Sequence, residues 1–275
     1  MKPYSMKIIN YIKIRFFLDA IYCYLRTKKL NLDFLYIYAV EMGKPILKPT
    51  GQESYIIDYE HPHVEEDFDF VRELSLSRHQ ESCRDFEAAC NTRLHSFQRL
   101  VELIPDEGET VLEWDDDNNQ AAIVTGYCSG IDHFLIGDWE MAAAIFEMIL
   151  DIDPEDHMEA TIPLAYTYLA MKEFDSFDDI INDVNDKHID KALLTLWNEF
   201  RRNEALPYGE IIRLRNSFRP YFDEFIADQH PVSEEYLRDI NSDRPSKQAL
   251  ARELWLKTEH LWNLFPGFIE ALRKS

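Results

Sequence analysis

Gly126-Tyr127-Cys128-Ser129-Gly130 is the stretch whose residue types come nearest to chemistry. In a G-x-C-x-G pattern the glycines allow a sharp strand-to-helix turn that holds the middle side chain out, where a thiol can act as a nucleophile. Ala121-Ala122-Ile123-Val124 would be the strand, and Asp186 with His188 the acid and base of a triad. A second set is His61-Pro62-His63 followed by Glu65, Glu66 and Asp67: two imidazoles beside acids, a donor set suited to a metal. A third is Asp115, Asp117 and Asn119, which alternate as oxygen ligands do in a calcium loop.

The surroundings argue against all three. The first stretch resembles the nucleophile elbow of the α/β-hydrolases, but the alternating strand and helix pattern of that fold is absent, and Gly130 is better used in a helix crossing. A hydrolase-like enzyme built on Cys128 is therefore the alternative reading, and an inert structural cysteine the expected one. Pro62 and the acidic context make 61–67 a solvated turn before a helix. The calcium spacing has Gln120 where the turn needs glycine and Gly126 where the closing glutamate belongs. No catalytic, cofactor-binding or metal-ligating residue is expected, and no cofactor.

What must position these residues is a helical unit centred on 130–156, GIDHFLIGDWEMAAAIFEMILDIDPED. It reads as two helices with a tight turn at Gly137-Asp138 and a stop at Pro154, which cannot donate a backbone N–H. Gly130 is a small residue where the helices would cross, Ala142 faces it, and Phe146 fills the space beside the crossing. The spacing of Gly130, Gly137, Asp138, Ala142, Phe146 and Pro154 resembles the tetratricopeptide repeat, a helix-turn-helix unit that stacks into solenoids. That resemblance implies a surface for a partner and no chemistry. Tyr127, Ile131 and Phe134, at helical spacing on the first helix, are the candidate partner-facing residues.

A weaker second unit offers Ala165, Tyr168 and Phe174 after a Lys172-Glu173 turn; Phe177 stands where alanine is expected and no proline closes it. A third helix pair carries Leu193, Leu196, Trp197 and Phe200, then Ile211, Leu214 and Phe218. Pro220, Pro231 and Pro245 punctuate the rest, with a short helix near 232–240 and a last long one bearing Trp255 and Trp262. The three tryptophans read as core. LDIDPEDHMEA, the stretch 166–169 and LWNLFPGFIEAL also look like bacterial relatives of the suppressor-of-tumorigenicity family, a likeness that implies no established activity.

Before the repeats, 65–104 carries helical periodicity with a break expected near Ser75–Ser77, which would put Cys83 and Cys90 on one helix face. Residues 105–120 read as an acidic loop and 42–62 as an extended arm. Residues 1–41 differ in kind: seven basic side chains against three acids give +4, leaving −26 for the remainder of a chain whose net charge is −22. Charges at Arg15 and Asp19 interrupt any signal core or membrane span. The segment reads as a doubtful extension ahead of a translation start at Met42.

The expected organisation is thus 1–41 as that extension, 42–120 as arm, helical hairpin and acidic loop, and 121–275 as the repeat domain. The fold class is all-α, tetratricopeptide-like repeats stacked with flanking capping helices. A pI near 4.7 opposes binding to nucleic acid, since an acidic surface repels phosphate. Four cysteines without a C-x-x-C spacing point to a reducing compartment, the cytoplasm. The function expected is a non-catalytic protein–protein interaction scaffold for a protein or peptide, away from membranes. Partner, process and oligomeric state are left open.

Overall fold

The computed structural model describes residues 44–60, 68–105 and 108–275. The readings of 1–41 as an extension and of His61 and His63 as metal ligands lie outside the described residues. Twelve helices dominate the described chain, accompanied by one three-stranded sheet. The chain divides into two compact units, Met1–Leu164 and Ala165–Ser275.

The first correction is the sheet, which makes the fold predominantly helical instead of purely so. The presumed arm is an antiparallel hairpin, β1 (Lys44–Pro49) and β2 (Ser54–Glu60), with Leu47 opposite Ile57. Its turn closes on Ser54, whose carbonyl accepts from the N–H groups of Thr50 and Gly51 at 2.9 and 3.2 Å. The acidic loop contributes β3 (Val111–Leu112), parallel to β2. Tyr55, Ile56 and Ile57 give this segment its β character, and four turn-forming residues around it had masked the signal.

Two helices follow, α1 (Phe70–Ser82) and α2 (Phe86–Leu103). Asp69 caps α1 by accepting from the Arg72 N–H, and Asp85 caps α2 by accepting from that of Ala88. The break therefore falls at 83–85, where Arg84 takes φ 63°. Ser75 and Ser77 sit inside α1, their hydroxyls donating to the carbonyls of Val71 and Leu74. Cys83 ends α1, so it shares no helix with Cys90.

Helix α3 (Asp117–Ile136) starts four residues earlier than expected, with Asp116 accepting from the N–H groups of Asn118 and Asn119. Asn119, fully buried, joins helix to sheet. Its amide donates to the carbonyls of Tyr55 and Glu113, both at 2.9 Å, and its oxygen accepts from the Ile57 N–H at 2.8 Å. This use of Asn119 removes it from the calcium pattern. Gly137, at φ 79°, then closes α3: its N–H donates to Phe134 and that of Asp138 to His133. Helix α4 (Trp139–Ile152) returns antiparallel, and α5 (Thr161–Met171) leads into the second unit.

That unit continues with α6 (Phe174–Ile180), α7 (Ile189–Asn203), α8 (Tyr208–Ser217), α9 (Arg219–Phe225), α10 (Glu234–Ile240), α11 (Lys247–Leu264) and α12 (Pro266–Arg273). Its core is aromatic. Trp197 and Trp262 meet edge to face at 5.2 Å, Trp262 lies 5.3 Å from Phe268, and Phe225 meets Trp255 at 5.2 Å. Arg201 closes the C-terminal end of α5 by donating to the carbonyls of Leu169 and Ala170, each at 3.0 Å.

Candidate functional site

Helix α3 carries most of the residues that sequence singled out, and its faces do different things. The face toward α4 is made of glycine. A Cβ on Gly130 would lie 2.6 Å from Cε1 of Phe146, and one on Gly126 2.8 Å from Cδ1 of Ile149. Ala142 and Phe146 are fully buried on the facing helix. The G-x-C-x-G stretch therefore lies inside a helix, with both glycines spent on close helix approach. Residues 121–124, which a nucleophile elbow would need as a strand, are helical and buried. Asp186 pairs with Lys191 at 2.7 Å, while His188 caps α7 and contacts Asp190 at 3.0 Å.

Of the partner-facing candidates, Tyr127 and Ile131 are half-buried, the Tyr127 ring 5.8 Å from that of Phe146. Phe134 is 3% exposed and packs edge to face on Trp139 at 5.6 Å, so it serves the hairpin and offers a partner no surface. His133 binds Asp138 at 3.0 Å across the turn.

Sequence reasoning missed the polar feature beside this helix. Arg93 of α2 is buried and bridges two buried carboxylates, donating to Asp132 of α3 at 3.1 Å and pairing with Glu81 of α1. Two acids share one guanidinium, and the Cys90 thiol stands within reach of the Asp132 charge. Burial pushes the Asp132 carboxyl up to about 6 against the pull of Arg93. Burial and the Asp132 charge together raise the Cys90 thiol far out of the thiolate range. Burial alone would lower the Arg93 guanidinium, but Asp132, Cys128 and Glu81 outweigh it and hold it charged. The cluster locks three helices and leaves Cys90 without nucleophilic character. Its trace in the sequence is Arg93 standing at a stripe position between Ala89 and Phe97.

A second polar cluster sits after α4. Buried Asp153 accepts from the His157 backbone N–H at 2.9 Å and binds its Nδ1 at 2.6 Å, and the imidazole stacks flat on Trp114 at 4.5 Å. Among the described residues no group of three donors is placed to hold a metal, and no helix is long and apolar enough to cross a membrane. No family model matches the sequence, and no curated protein or solved structure matches it either.

Proposed function

We propose that the chain is a non-catalytic protein–protein interaction scaffold of tetratricopeptide type, working in the cytoplasm. The observation that carries this reading is the α3–α4 hairpin: a glycine, Gly130, lies against the ring of Phe146, and a left-handed Gly137 makes the turn. Small residues facing a large one across an antiparallel pair are what such repeats need to stack closely. In this reading α5 with α6 and α7 with α8 are the further pairs.

The ligand is a protein or peptide. Affinity capture of the full chain from its source cells, with excess untagged chain as competitor, tests this. A saturable partner lost under competition is expected. If no competable protein is found, and an ester or thioester is turned over by the wild type and not by Cys128→Ser, the scaffold gives way to an enzyme.

A further inference from the structure

Residues 100–171 contain seventeen Asp and Glu side chains and no Lys or Arg, so this stretch carries −17 in a chain whose net charge is −22. In the structure it forms the end of α2, β3, α3, α4 and α5. The outer face of α4 collects this charge beside apolar side chains. Glu140, Glu147 and Asp151 are exposed along it, and Ala144 is exposed between them. Met141 is 42% exposed and Met148, two turns on, is half-buried. Glu140 and Asp151 make no ion pair among the described residues.

We infer that this face docks a basic amphipathic helix from a partner protein, its apolar stripe on Met141, Ala144 and Met148 and its Lys or Arg side chains against Glu140 and Asp151. The inference rests on the scaffold reading and names the chemistry of its partner. Unbranched methionines adapt to an incoming apolar side chain, and exposed carboxylates without cations at hand attract a cationic segment and set its register. Acidic partners, anionic lipid headgroups, nucleic acid and a second copy of this face all carry charge of the repelled sign. The helix-in-groove mode reads anchors at three- and four-residue spacing, which is the spacing of the exposed side chains here.

The probe is a labelled amphipathic Leu/Lys helix of about 18 residues, compared with its Leu/Glu counterpart and with a scrambled Leu/Lys peptide lacking the stripe. With the full chain, fluorescence anisotropy should give saturable binding of the first only, weakened by salt. Glu140→Lys with Asp151→Lys should weaken it by about tenfold or more, and Met141→Ser with Met148→Ser by about fivefold, urea midpoints showing that each variant is folded. A photo-cross-linker at position 144 should join the probe to the chain. Equal binding of the scrambled peptide, or indifference to the charge reversal, overturns the inference. So does a cross-link from position 144 to the chain's own first 43 residues or to a second copy, because the face is then already occupied. Should the probe fail while competable capture from cells persists, the α4 face is wrong and the scaffold stands; loss of both removes the scaffold.

Discussion

Replacing Gly130 by alanine sets two opposing terms against each other. In a helix interior, glycine to alanine normally stabilises by about 0.5–1 kcal/mol through backbone entropy. Here the new methyl would stand 2.6, 2.9 and 3.0 Å from three atoms of one Phe146 ring, and that ring is wholly buried. A flat, enclosed ring cannot swing away as a chain end can. Overpacking of this kind costs about 1–3 kcal/mol, so a net loss of roughly 1–2 kcal/mol is expected. Gly126→Ala meets mainly the Cδ1 end of Ile149 at 2.8 Å, a flexible tip, and should be close to neutral. Gly209→Ala meets nothing within 4 Å and should raise stability slightly. Urea midpoints at constant slope give the ranking, and adding Phe146→Leu to Gly130→Ala should recover part of the loss. If Gly130→Ala is stabilising, or the double change shows no coupling, the close crossing of α3 and α4 is refuted.

Asp132 makes stability pH-dependent with a definite sign. Its folded-state pKa of about 6 lies above the ordinary 3.8, so its stabilising contribution is complete below about 4 and is lost as pH rises through about 6. The loss is on the order of 3 kcal/mol between those limits. Urea midpoints should therefore fall from pH 5 to pH 7.5 in the wild type and change much less in Asp132→Asn; an identical fall in both contradicts the assignment. Asn119→Ala leaves three backbone groups without their partner, the Ile57 N–H among them buried, and should cost roughly 2–4 kcal/mol, against under about 1 kcal/mol for Asn118→Ala, which loses one side-chain bond to the Ile57 carbonyl. Cys128→Ala should leave any measured ester or thioester turnover unchanged, and covalent labelling of Cys128 by an acyl probe would oppose the scaffold reading.

The helices were legible because their signals are local. Gly137 announces a tight turn and apolar spacing marks α3, α4, α7 and α11, whereas the caps at Asp85 and Asp116, equally local, were passed over and left the first break and the start of α3 misplaced. The sheet was not legible, since β1 and β2 are bracketed by proline and glycine and their pairing with β3 spans more than fifty residues. Nor was the Glu81–Arg93–Asp132 cluster, whose members come from three helices and acquire meaning only when brought together. Phe134 shows the limit of a helical wheel: its face is apolar, but only the packed structure shows that Trp139 covers it.

Native mass spectrometry of the full chain mixed with its purified cellular partner tests the central claim most directly. The scaffold account predicts a non-covalent complex of fixed stoichiometry in which both masses are unchanged after prolonged incubation. A partner that loses or gains a group in the presence of the chain, with no lasting complex, would contradict it.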